Sequence, residues 1–364
     1  MSSDRGCWPA RAGDVLGQLP AGVVEAATAS LRRGLATAGR LDDSGSWAEP
    51  DAVAAQHVRP LLAVDEWPGP SAPLAVGQGA VHADLIDEDH DRLAILRSIL
   101  ADVGPVDAET LAAEAQDWRL PVTPYRDLPT MAPPAPAAGT GTPGGPGWDG
   151  PAPLVVDLTA LWAGPLATSL LADMGARVVK VDPGVRPDGF REHPVLYAQL
   201  NGAKEIVDLD LRRDDHRSRF EALVGGASLV VDSFSRRVMP NFGYGPDDLR
   251  RLNPRLATLS IVAFPAGTRE ASWVSYGPGA HAVSGLGTHL DGAGRRRFEP
   301  APIAYPDALA GLEAFAVAAE LVGAVAGGGP LPHREVSLSG ALAPIVARAV
   351  ADAAPHGEGQ TDRG

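Results

Sequence analysis

The chain has 364 residues, 45% hydrophobic and 21% charged, which is enough for about two domains, each with a buried core. Its formal net charge of −14 argues against nucleic acid or an anionic membrane as a partner, although a local set of Arg side chains and backbone N–H groups can still hold a phosphate. One cysteine, Cys7, excludes an internal disulfide framework and a cysteine metal cage, and fits a reducing cytosol.

The first residues carry no apolar h-region of a signal peptide, and no window reaches about 18 uninterrupted apolar residues. The expectation is a cytoplasmic protein with no membrane span. An N-terminal helical segment, 1–45, contains an Ala-rich helix pattern over 15–39 that ends at Gly39. A smaller α+β domain follows over 46–128, with a strand at Ala80 to Leu85 and an amphipathic helix from His90 to Leu100. Leu93, Leu96, Ile99 and Leu100 share one face of that helix. A further helix pattern spans Ala108 to Trp118 and leads to a strand at Pro121 to Tyr125.

Residues 129–150 are a Pro/Gly-rich linker, which buries too little apolar surface to offset its ordering entropy. Over 151–350, strand patterns at 154–158, 177–181, 205–209, 228–232 and 257–262 alternate with helix patterns at 166–174, 214–224, 247–252 and 307–326. The alternation predicts an α/β fold, a doubly wound and mostly parallel sheet, with the smaller α+β domain as a second unit. The polar tail, 351–364, reads as frayed, and the chain has no internal repeat. No G-x-G-x-x-G follows a strand, no phosphate-binding Walker loop is present, and no His/Asp/Glu set has metal spacing.

Several landmarks recur in one order. The strand Leu154 to Leu158 feeds the turn Ala163-Gly164-Pro165, an apolar helix that ends at Gly175, and a second β-rich run, Arg177 to Val181. Asn201-Gly202-Ala203-Lys204 then leads into Val207-Asp208-Leu209-Asp210-Leu211. The stretch Leu249 to Ser260, the run Ala282-Val283-Ser284-Gly285-Leu286, and Asp307 with Gly311 complete the set. Together they resemble CoA-transferase family III, the CaiB/BaiF group that includes formyl-CoA and carnitine CoA-transferases. The stretch Ala108 to Pro129 looks like the carboxy-terminal part of that family, so the two domains occur in rotated order. The resemblance implies a CoA thioester and a small carboxylic acid as ligands, no covalently bound cofactor, no metal and a homodimer.

It also implies CoA-facing positions: Trp162 and Ala163 in the turn, Leu209-Asp210-Leu211-Arg212 at a strand end, and Ser233-Phe234-Ser235. Lys204 and Arg212 are the implied cationic contacts, the alternative being that both are solvated surface charges. Members carry a Pro-Gly turn where this chain has Ser235-Arg236-Arg237, and the two arginines either supply compensating charge or face water. By the same resemblance, the nucleophilic Asp of the transferases lies eight residues before Gly285, a position held here by Gly277, with Glu270 and Asp291 the nearest acids. A racemase chemistry in the same superfamily uses the Asp of the Asp-x-x-x-Gly helix start, here Asp307, and a His where this chain has Tyr276. The alternative for Asp307 is N-capping of the 307–326 helix, and for His281 a structural place on an apolar helix. The enzyme readings, transferase or racemase/isomerase, therefore stand beside a non-catalytic homologue that binds CoA esters or partners an active paralogue.

Overall fold

The computed structural model describes residues 20, 22–37, 73–76, 79–84, 94–95, 98–99, 107–133, 151–328, 331 and 333–353. In chain order, α1 is Val23–Thr37, β1 Leu74–Val76, β2 Gly79–Ala83, α2 Ala108–Asp117 and β3 Val122–Pro124. The larger unit begins with β4 (Leu154–Leu158), α3 (Ala163–Asp173), β5 (Arg177–Val181), α4 (Pro194–Asn201), β6 (Glu205–Val207) and α5 (Asp214–Gly226). It continues through β7 (Leu229–Asp232), α6 (Val238–Asn241), α7 (Pro246–Leu252), β8 (Ala257–Val262) and α8 (Gly277–Ser284). The hairpin β9 (Thr288–Leu290) and β10 (Arg296–Phe298), α9 (Tyr305–Gly327), β11 (His333–Ser337), α10 (Leu338–Ala341) and α11 (Ala343–Ala353) complete it.

The main sheet has six parallel strands in the order β11-β8-β7-β4-β5-β6. Its central strands are covered on both faces, which is why they read as unbroken apolar runs. Val155 points into the core shared with α1, α3 and α9. Its neighbour Val156 points to the opposite face, against Phe220 and Val224 of α5 and Leu249 of α7. The expected strand 205–209 ends at Val207, and Leu209 and Leu211 turn into this second core. The edge strand β11 had no apolar signal, because only Val336 of its five residues is buried.

Helix α9 is long and apolar enough to cross a membrane by length and composition, but most of it lies inside the protein. It runs between α1, α3 and the sheet, so it is apolar all round. At its N-terminal end a Cβ on Gly311 would stand 2.7 Å from the carbonyl oxygen of Ala163, so glycine is what lets α9 and α3 touch. Helix α1 is tied to the same helix: Ser30 Oγ donates to Glu313 at 2.8 Å, and Arg33 pairs with Glu313 at 2.5 Å.

The smaller unit is a three-stranded antiparallel sheet, β1-β2-β3, with α2 laid on it. Asp107 caps α2 by accepting from the Thr110 N–H at 2.9 Å. Val81, Leu111, Ala112, Ala115, Leu120 and Val122 form its core. Of the expected helix His90 to Leu100, residues 94–95 and 98–99 are described and helical, and the rest lies outside the described residues, as do linker positions 134–150 and the tail beyond 353. The small sheet docks on the segment that opens α8. Gln116 Nε2 donates to the Val274 carbonyl at 2.8 Å and its Oε1 accepts from the Val274 N–H at 2.7 Å.

Candidate functional site

In a parallel sheet, a crevice opens at the carboxyl ends of the strands where the chain reverses its direction of strand addition. Here that point lies between β4 and β7, since β5 and β6 extend the sheet one way and β7, β8 and β11 the other. The loop 159–162 after β4 and the loop 233–235 after β7 meet there, with the Ala160 N–H donating to Ser233 Oγ at 3.1 Å. Leu161 stands at φ 65°, a left-handed conformation that a branched side chain rarely adopts, and the Asp188 carboxylate holds it by accepting from its N–H at 3.0 Å. Trp162, Ala163, Ser233, Phe234 and Ser235 lie in or beside these two turns. The Trp162 side chain itself is buried in the core, and Phe234 packs against the face that holds Phe220.

Lys204 has a different place from both readings above. Its side chain is fully buried, paired with Asp157 at 3.0 Å. The ammonium donates to Thr168 Oγ1, the Pro165 carbonyl and Asn201 Oδ1 at 2.7, 3.0 and 3.0 Å. Burial lowers its pKa to about 8, with the charge of Asp157 opposing. Burial alone would raise the Asp157 carboxyl, but Lys204, Lys180 and the hydroxyls of Thr159 and Thr168 outweigh it and hold the group well below the ordinary range. Every Lys204 donor is used inside the fold, so the Asn-x-x-Lys spacing is a structural pair: Asn201, three residues back along the α4 end, receives the ammonium. Lys204 is neither a solvated charge nor free to reach a phosphate.

Arg212 is a surface residue, paired with Asp210 at 2.8 and 2.9 Å. Leu209 and Leu211 are buried beneath it, so only the backbone and the Asp210–Arg212 pair face outward at this strand end. Arg236 is committed too: it pairs with Glu335 at 2.8 Å and donates to the carbonyls of Ala271 and Phe264. Arg237 is exposed. His281 holds a structural place, its Nδ1 at 2.8 Å from the Tyr305 hydroxyl and its Nε2 at 3.3 Å from the Glu299 carbonyl, and burial lowers its pKa to about 4.

Asp307 lies one helical turn before Gly311, about 6 Å along α9 from the contact with the α3 turn. The capping alternative does not hold. Pro306 sits in the first turn and starts α9 at Tyr305, with Ala304 at the cap, so Asp307 is inside the helix. Its carboxylate faces the start of α8: a Cβ on Gly277 would stand 1.9 Å from Asp307 Oδ2. The carboxyl group of Asp307 therefore occupies the space in which any side chain at 277 would begin. Asp307 is wholly buried. Burial raises its pKa to about 7, the charge of Asp84 adds to the shift, and the Gly277 N–H offsets part of it. Oδ2 has no hydrogen-bond partner among the described residues. Tyr276, at the head of α8, is 38% exposed and so faces outward at this point.

A six-stranded parallel sheet with helices packed on both faces defines a doubly wound α/β protein. Residues 153–364 match the model of CoA-transferase family III. The chain belongs to that family. Over 124 residues it is 40% identical to succinyl-CoA:mesaconate CoA-transferase of Haloarcula hispanica, covering 30% of this chain and 31% of that one. It is also 31% identical over 147 residues to human alpha-methylacyl-CoA racemase, covering 40% of this chain and 36% of the relative. Among solved structures, the protein Rv3272 of Mycobacterium tuberculosis is 26% identical with a TM-score of 0.48, covering 56% of each chain. The chain spans 31% and 36% of the lengths of these two curated relatives.

Proposed function

We propose that the protein acts on acyl-CoA thioesters, with the CoA moiety at the β4–β7 crevice and the acyl carbon directed towards Asp307. The observation that carries this reading is the buried Asp307 carboxyl, with a pKa of about 7, standing where the side chain of residue 277 would otherwise be. A carboxyl group that is half protonated near neutral pH suits proton transfer better than nucleophilic attack. The chemistry favoured is proton exchange at the carbon next to the thioester, whose acidity the thioester carbonyl supplies. By resemblance, Gly277 holds the position of the transferase nucleophile, and glycine cannot form the acyl anhydride and enzyme–CoA thioester of that route. The protein is therefore expected to form no hydroxylamine-sensitive enzyme–CoA adduct.

The second reading is a CoA-ester-binding homologue without turnover, and the burial of Asp307 is what favours it. The two separate cleanly. With acid–base activity, an acyl-CoA incubated in D2O takes up deuterium at the α-carbon, and Asp307→Asn abolishes the uptake by the enantiomer whose proton Asp307 removes. With binding alone, CoA raises the melting temperature but no deuterium enters. A covalent adduct lost on mutating some other carboxylate would restore the transferase reading. A homodimer and a cytoplasmic location belong to the same proposal; light scattering of the full chain tests the first.

A further inference from the structure

Gly277 and Gly279 open α8, and both face polar atoms where a core helix normally meets apolar ones. A Cβ on Gly279 would lie 2.1 Å from Ser275 Oγ, 2.9 Å from Thr123 Oγ1 and 3.3 Å from Asp84 Oδ2. The small sheet delivers two of these groups, Thr123 on β3 and Asp84 at the end of β2. His82 and Thr123 are cross-strand partners on β2 and β3, and the His82 ring meets Tyr125 edge-on with centroids 6.4 Å apart. His82 Nε2 lies 2.7 Å from Asp84 Oδ1, which leaves Asp84 Oδ2 turned to the glycines.

Three buried atoms at this helix start have no hydrogen-bond partner among the described residues: Asp84 Oδ2, Thr123 Oγ1 and Asp307 Oδ2. A single buried polar group left unpaired costs about 1–3 kcal/mol, and folds seldom tolerate several together. Elsewhere in the same protein, a buried ionic group such as Lys204 has every donor used. Unmet polar capacity gathered at two glycines, with a buried side chain on each domain aimed into it, marks a place built to receive a polar substrate group. Helix positions two apart point about 200° away from each other, so Asp307 at 277 and Asp84 at 279 flank the helix start from two sides.

Inverting a carbon acid takes one group to remove the proton on one face and a second to return a proton on the other. We propose that Asp84, held by His82, is the second acid–base group of the Asp307 site, supplied by the small domain. The assignment rests on the acid–base reading of Asp307. In one direction the Asp307 carboxylate takes the α-proton, and the C–H electron pair moves into the thioester enolate. The enolate carbon then takes the proton of the Asp84 carboxylic acid on its other face. Asp307 ends protonated and Asp84 ionised, and the same steps in reverse process the other enantiomer. His82 is a positioning residue that orients Asp84.

The test uses the full chain with each enantiomer of a 2-methylacyl-CoA in D2O, following deuterium uptake and enantiomer ratio. The unmodified protein is expected to label and interconvert both. Asp84→Asn should lower interconversion by 100-fold or more while one enantiomer still exchanges its proton at Asp307. Asp307→Asn should show the mirror pattern, and His82→Gln should shift the pH profile of the Asp84-dependent direction. Interconversion that survives Asp84→Asn overturns the assignment. Failure of the unmodified protein to label either enantiomer removes the acid–base reading itself and the pair with it. A measurement without turnover supports it independently: carbon-13 titration of labelled Asp307 should move to lower pH in Asp84→Asn, and an unchanged titration overturns the pairing.

Discussion

Two buried clusters of charged side chains among the described residues differ in one respect. Around Asp157 and Lys204, inside the large domain, donors and acceptors match: four oxygens surround the ammonium, and two hydroxyls serve the carboxylate. Around Asp307 and Asp84, at the junction of the two domains, acidic and hydroxyl groups meet, and Asp307 Oδ2, Asp84 Oδ2 and Thr123 Oγ1 lack hydrogen-bond partners among the described residues. The first cluster stabilises the fold because it is complete. The second opposes folding locally, and that is the condition under which a carboxyl group keeps its proton near neutral pH. Charge burial is common to both clusters, and hydrogen-bond completeness is what distinguishes them.

If this contrast is right, breaking the first cluster should have the largest effect. Lys204→Met leaves the Asp157 carboxylate buried without its cation and should lower stability by about 3–5 kcal/mol in urea unfolding. Adding Asp157→Asn to that variant should recover part of the loss, because the buried charge goes with it. An unchanged midpoint for Lys204→Met would show that the ammonium is not held as described. The second largest effect is expected for Gly277→Asp. The new Cβ begins within 1.9 Å of Asp307 Oδ2, so the carboxylate must swing away, and a second acid is buried beside the first. Destabilisation of about 3 kcal/mol and no transferase activity are expected, and a well-folded, active variant would break the comparison.

Asp307→Asn should act in the opposite direction on stability. The folded state holds the Asp307 proton up to about pH 7, whereas the unfolded chain releases it near 3.8. Between those values the folded state binds more protons, so wild-type stability falls as pH rises. Below about pH 4 the term vanishes. Each pKa unit corresponds to about 1.4 kcal/mol, so the neutral amide should raise the melting temperature at pH 8 and leave it unchanged at pH 4. Equal melting temperatures at both pH values would show that Asp307 is ionised without cost. The smallest effect belongs to Arg212→Ala. Among the described residues it pairs with Asp210 in a solvent-exposed contact, so no measurable shift in melting temperature is expected, and any loss of CoA affinity would come from a direct contact at the crevice.

The five strands predicted from apolar runs return as the inner strands and one edge of the sheet, within a residue or two at each end. A strand buried on both faces has to be apolar throughout, and that signal needs no tertiary information. The other edge, His333–Ser337, was silent because an edge strand keeps polar side chains, and the hairpin of β9 and β10 because its strands are three residues long and mostly exposed. The resemblance named Trp162 and Ser233 to Ser235, and the fold puts them in the two turns that meet at the switch point. His82, Asp84 and Thr123 carried no sequence signal, because a lone histidine or acid on a short strand looks like any other.

Two assignments were decided by space alone. Lys204 read as a surface or phosphate-binding cation because sequence shows a charge without showing what surrounds it, and Asn201, Thr168 and Asp157 converge on it only when α3, α4 and β4 are packed. Gly277 read as a missing side chain. The fold places the Asp307 carboxyl in the volume that side chain would occupy, 30 residues further along the chain, because α8 and α9 start beside each other. Local patterning determined the inner strands, several of the helices and the family. Which charges are satisfied and which are left unpaired is a property of contacts between distant segments, and only the tertiary structure could decide it.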